Sequence, residues 1–169
     1  AEALADRLEG MPRRTYHEAY ADGSYYDERA EWIDRGSLVG HCNPVAPPMR
    51  MTMQGDVATA RLTFAEYHGG APGWCHGGWV AAVLDQALSY AVIGQGIPSV
   101  TGKLEVIYDA PTPLHRELIC EAREVSIDGR KRRVEGVLKD GERVLARASG
   151  VFVSFDPDSI RDKLVKGPA

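Results

Sequence analysis

The sequence predicts an α+β domain in which a curved antiparallel sheet wraps around one long central helix. Three observations lead there. Residues 75–93 read as a single helix that is apolar on nearly every face, opened by Gly77-Gly78 and carrying one charge, Asp85. A helix apolar all round belongs in an interior. Downstream, Asp128-Gly129 and Asp140-Gly141 separate runs that alternate apolar and polar residues, and Asp-Gly in that setting is a strong hairpin signal. No other segment is apolar enough to fill the concave side of the sheet those runs would make, so the helix and the sheet must bury each other.

Taken in order, the chain up to about Gly40 mixes charged and aromatic residues (Tyr16, Tyr20, Tyr25, Tyr26, Trp32) and predicts one or two short helices. The prolines Pro44, Pro47 and Pro48 then forbid regular helix or central strand. Residues 49–54 and 56–64 read as two strands around Gln54-Gly55-Asp56, and 67–73 as a Gly/Pro-rich loop leading into the helix. Gly94 and Gly96 stop that helix, with Pro98 just beyond. Four strands follow, over 100–108, 116–127, 130–139 and 143–155, and are expected to form an antiparallel meander. Residues 158–165 predict a short tail helix. The expected organisation is an N-terminal extension (1–40), one domain (41–156) and a tail (157–169).

Composition excludes several classes. The 169 residues suffice for one domain with a real core, and 44% hydrophobic with 26% charged residues is ordinary for a globular chain. A net charge of -4 argues against a nucleic-acid binder, which needs a basic face for phosphates. No apolar run approaches a membrane span, and residues 1–9 lack the basic and apolar regions of a signal peptide. The three cysteines, Cys42, Cys75 and Cys120, are odd in number and widely spaced. That pattern suits reduced thiols and a cytoplasmic location better than a disulfide framework.

The chemistry concentrates at the start of the apolar helix. A lone carboxylate there is costly unless compensated, so Asp85 is either well hydrogen-bonded or present for reaction chemistry. His76, just ahead of the helix, is better placed to orient the loop through backbone hydrogen bonds than to act as a base. Cys75 and His76 are sequence neighbours, whose side chains rarely face each other, so Cys75 reads as a small apolar residue. His41, Cys42, His68, Cys75 and His76 match no zinc spacing, and no metal is expected. Trp74 and Trp79 flank the glycines and either line a pocket or pack. Residues 130–133, Arg-Lys-Arg-Arg, open a strand; a solvated edge that blocks aggregation is favoured there over a phosphate contact.

The pattern Gly73-x-x-His76-Gly77-Gly78, followed by Ala82-x-x-Asp85-x-Ala87, Thr101 and Tyr108-x-x-Pro111-Thr112-Pro113, resembles the hotdog-fold acyl-CoA thioesterases of the phenylacetate-pathway (PaaI-like) branch. The similarity runs over about 43–155. It implies that the Gly77 backbone N–H polarises the thioester carbonyl, that Asp85 is the acidic catalyst and that Thr101 positions the attacking water. His76, Gly78, His68 and Trp79 become candidate substrate-binding residues. Coenzyme A enters as part of the substrate, with no separate cofactor. Many members carry an Asn or Gln about six residues before the histidine of the motif, where this chain has Gly70. Either the nearby His68 substitutes, or the water is held otherwise, or activity is weak.

The chemistry also follows from physics. Thioester hydrolysis builds negative charge on the carbonyl oxygen, and a helix start offers unpaired N–H groups and the positive dipole end. Asp85 would supply a general base or a nucleophile, between which the residues do not choose. Asp85 lies eight residues after Gly77, about 12 Å along one helix at 1.5 Å per residue. Both cannot meet one carbon, so a site that uses both is expected across a homodimer interface, in a dimer or a dimer of dimers. Two other readings stand beside the thioesterase: a non-catalytic acyl-CoA or acyl-carrier binder, motivated by Gly70, and a hydratase or dehydratase. The last wants an acid–His pair that the sequence does not offer.

Overall fold

A computed structural model of the chain describes residues 38–40 and 43–156. The N-terminal helices expected up to about Gly40 lie outside the described residues, as do His41, Cys42 and the expected tail helix; residues 38 and 39 form a turn. The described elements are β1 (Arg50–Gln54), β2 (Val57–Thr63), a 3-10 turn (Glu66–His68), α1 (Gly77–Ile93), β3 (Ser99–Tyr108), β4 (Glu117–Asp128), β5 (Lys131–Asp140) and β6 (Arg143–Ser154). They make a six-stranded antiparallel sheet, in the order β1-β2-β4-β5-β6-β3, with the one long helix on its concave face.

The hairpin turns form where glycine permits them. Gly55, Gly129 and Gly141 all have positive φ, a conformation that costs a residue with a Cβ. β4, β5 and β6 are the expected meander, but β3 does not join it beside β4. Instead β3 pairs with β6, because β4 already bonds β2 along its other edge. The β3–β4 connection must therefore cross the end of the sheet, and the proline-bearing segment after Tyr108 carries it. β3 and β1 are left as the two edge strands.

The inner face explains why the helix sits where it does. Alternate residues of the strands point inward, and several of them are small: Ala58 and Ala60 on β2, Ala122 on β4, Gly136 on β5, Ala146, Ala148 and Gly150 on β6. Leu88 of α1 fills the depression they leave. A Cβ on Gly136 would stand 2.6 Å from Leu88 Cδ1 and 2.9 Å from the Glu121 carbonyl oxygen, and one on Gly150 would stand 3.1 Å from Leu88 Cδ2. Val80, Val83, Leu84, Ala87, Leu88, Ala91 and Val92 form the buried face of the helix. Its other face corrects the expectation of a helix buried all round. Ala81, Ala82, Asp85, Gln86 and Ser89 are only partly covered, since one sheet covers one side.

Candidate active site

α1 begins two residues later than expected, at Gly77, because His76 is its N-cap. The His76 backbone is extended, and its Nδ1 accepts the Gly78 N–H at 2.9 Å. The backbone-orienting reading of His76 therefore holds in the structure. The Trp79 N–H is taken by the His76 carbonyl at 3.0 Å. Among the described residues the Gly77 N–H has no hydrogen-bond partner, so it is the open donor at the positive end of this helix. A side chain on Gly78 would press on the capping imidazole: a Cβ there would stand 3.0 Å from His76 Nδ1.

Two turns along, the Thr101 hydroxyl donates to Asp85 Oδ1 at 3.1 Å. Burial pushes the Asp85 carboxyl above the usual aspartate range, and the Thr101 hydrogen bond partly offsets that rise. Thr101 reaches the helix through an irregularity in β3. The β3–β6 register slips between Thr101 and Lys103, so Thr101 opposes the inward-facing Phe152 while Leu104 opposes the inward-facing Gly150. A bulge at Gly102 thus puts Thr101 on the same face as Leu104, three positions on. Strict alternation would turn Thr101 and Tyr108 to opposite faces; with the bulge, both meet α1.

Tyr108 is the residue to which sequence reasoning gave no role. Its hydroxyl donates to the Gly77 carbonyl at 2.9 Å, and its ring lies 3.4 Å from where a Gly77 Cβ would stand. The signal that could have found it is strand periodicity, which places Tyr108 on the face of Leu104 and Val106.

His68 does not join this group. It has no solvent exposure. Its Nδ1 accepts the Ala65 N–H at 2.8 Å and its Nε2 lies 2.9 Å from the Val45 carbonyl. Both ring nitrogens are used, so the expectation that His68 holds substrate or water is corrected: it ties the Val45 segment to the 3-10 turn. Trp79 packs edge-on against it with ring centroids 4.9 Å apart, which favours packing for Trp79. Gly70 also finds its reason. A Cβ there would stand 2.9 Å from His76 Cα, so no Asn or Gln fits this backbone.

Cys75 and Cys120 are buried free thiols, both pushed up to about 12 mainly by desolvation, which keeps them unreactive. Among the described residues no three His, Cys, Asp or Glu side chains come together as a metal site, and no helix is long and apolar enough to cross a membrane. A hollow of about 430 Å³ lies over the outer face of the sheet, beside Glu105, Glu121, Arg123, Glu135, Arg147 and Ser149. It borders neither Asp85 nor Gly77.

Comparison with known proteins agrees with this fold. Residues 72–147 match the thioesterase superfamily. Over 91 residues the chain is 29% identical to the acyl-coenzyme A thioesterase THEM4 of Mus musculus, a match covering 53% of this chain and 39% of the mouse protein. The chain thus spans about two fifths of the length of the curated relatives it matches. A solved thioesterase superfamily protein superposes with a TM-score of 0.66 at 22% identity, covering 89% of this chain and 90% of its own. The phenylacetic acid degradation protein PaaI of Thermus thermophilus, solved as a point mutant, gives 0.59 at 19% identity, covering 63% of this chain and 93% of its own. The fold is the hotdog fold of these thioesterase structures, and the match to the thioesterase superfamily lies in residues 72–147.

Proposed function

We propose that this chain hydrolyses acyl-CoA thioesters to free acid and coenzyme A at a site built from Gly77, Asp85 and Thr101. The observation that carries the reading is the half-buried Asp85, held by Thr101 on the helix whose first N–H is open. The thioester carbonyl oxygen would sit on the Gly77 N–H, where the charge of the tetrahedral intermediate meets a fixed donor and the helix dipole. As a general base, Asp85 takes a proton from water while the water oxygen bonds the carbonyl carbon. The carbon–sulfur bond then breaks and the proton passes to the departing thiolate. As a nucleophile, Asp85 forms a mixed anhydride, expelling the thiolate, and water cleaves the anhydride afterwards. Label found in Asp85 after a single turnover in ¹⁸O-water identifies the nucleophilic route, because only attack of water on the aspartyl carbonyl of the anhydride places it there.

The reading includes a second copy of the chain. Gly77 and Asp85 are about 12 Å apart along the helix, and the partly covered stripe of Ala82, Asp85, Gln86 and Ser89 lies beside the open edge of β3. Val100, Ile107 and Tyr108 on that strand are half exposed, at 54%, 52% and 52%. A symmetric partner laid over this edge would cover the stripe and bring one chain's Gly77 towards the other's Asp85. A reducing, cytoplasmic setting fits the free thiols.

The test is release of free thiol from a panel of acyl-CoAs by the wild-type chain and by Asp85→Asn. Turnover that depends on Asp85 supports hydrolysis. Saturable binding of acyl-CoA without turnover supports the non-catalytic reading instead, which the absence of a side chain at Gly70 favours.

A further inference from the structure

We infer that Tyr108 is a positioning residue for the Gly77 N–H, a role that rests on the thioesterase reading above. The peptide unit between Gly77 and Gly78 is held on both sides. Its N–H, on Gly78, is bound by His76 Nδ1 at 2.9 Å, and its carbonyl, on Gly77, is bound by the Tyr108 hydroxyl at 2.9 Å. Side chains from two different elements thus grip one peptide plane at both edges.

Such a grip is needed because two successive glycines have no Cβ to restrict their dihedral angles. The direction of the open Gly77 N–H is set by rotation about bonds adjoining that plane. An oxyanion donor works only when it lies within about 2.7–3.1 Å of where the charge forms, so a small rotation there matters. Satisfying a buried group does not explain the Tyr108 bond. The Gly77 carbonyl sits in the first turn of α1, where the helix ladder already supplies it with a partner. Nor is Tyr108 a core residue, since it is 52% exposed. Its ring rests on Gly77, 3.4 Å from the place of a Cβ, and walls the side of the turn next to β3. The bulge at Gly102 lets one strand serve both halves of the chemistry, with Thr101 on the carboxylate and Tyr108 on the glycine turn.

Tyr108→Phe keeps the ring and removes only the hydroxyl. Removing an oxyanion donor outright costs about 10²–10³-fold in kcat, and loosening one should cost less. The expected result is about a tenfold fall in kcat on the best acyl-CoA, with KM within about twofold of wild type and an unchanged thermal midpoint. Amide hydrogen exchange at Gly78, whose N–H is held by His76, should be faster in the variant. Tyr108→Leu, which also loses the ring wall, should fall further in kcat. An unchanged kcat, a loss confined to KM, or a Tyr108→Phe chain that no longer folds would each overturn the proposal. If the wild type itself releases no thiol from any acyl-CoA, the thioesterase reading fails separately. The grip on the peptide is then read from the exchange rates alone: faster exchange supports it and unchanged exchange overturns it.

Discussion

Asp85 carries opposing demands, and both are measurable. Its carboxyl is raised above the ordinary aspartate range by burial and lowered by Thr101. A base works when ionised, so kcat/KM should rise with pH along a limb set above the ordinary aspartate value. Thr101→Val removes the lowering contribution, and the limb should move to higher pH while kcat falls; a pH–rate profile of both proteins checks this. The stability consequence has the opposite sign to that of a salt-bridged aspartate. A folded pKa above the unfolded value means that the ionised carboxylate is less favourable folded than unfolded, so its contribution to stability falls as pH rises from the unfolded through the folded pKa. Asp85→Asn should therefore lose about 10²–10⁴-fold in turnover while its melting temperature at neutral pH stays equal to or above that of wild type. A large drop in melting temperature would show that the carboxylate is structural. Asp85 was legible in the sequence because it is the one charge on an apolar helix. The burial of His68 was not, since nothing local says that its ring bonds Ala65 and Val45.

At the scale of elements, α1 depends on its cap at one end and on its groove in the middle. His76→Ala frees the Gly78 N–H and should cost about 1 kcal/mol, the usual worth of an N-cap. His76→Asn, which restores a side-chain acceptor, should recover part of it; chemical denaturation measures both. Gly136→Ala drives a Cβ into Leu88 and the Glu121 carbonyl and should destabilise by about 1–3 kcal/mol, as overpacking does. The helix and every strand were legible to within about two residues, because the apolar run and the glycine turns are local signals. The place of β3 was not. Sequence adjacency suggests β3 beside β4, but β2 holds that edge, a choice made between segments far apart in the chain. The bulge went unread as well, although Gly102 inside a strand is its local mark.

At the scale of the whole molecule, everything turns on the distance between Gly77 and Asp85. Residues on one face of one helix, about 12 Å apart, act on one thioester only if two chains exchange them. Among the described residues β3 has no strand partner along one edge, and the helix leaves Ala82, Asp85, Gln86 and Ser89 partly uncovered beside it. The expectation of a shared site came from the spacing alone, whereas the surface such a partner would cover appears only once β3 is placed at the sheet edge. The most direct measurement mixes two inactive variants, Asp85→Ala and Gly77→Leu, the second placing a side chain against the Tyr108 ring. A mixed dimer then holds one site with both lesions and one with neither. Random pairing makes half of the dimers mixed, so co-refolded chains should recover up to about a quarter of wild-type thiol release. No recovery, with subunit exchange verified by mass spectrometry, would contradict the shared site.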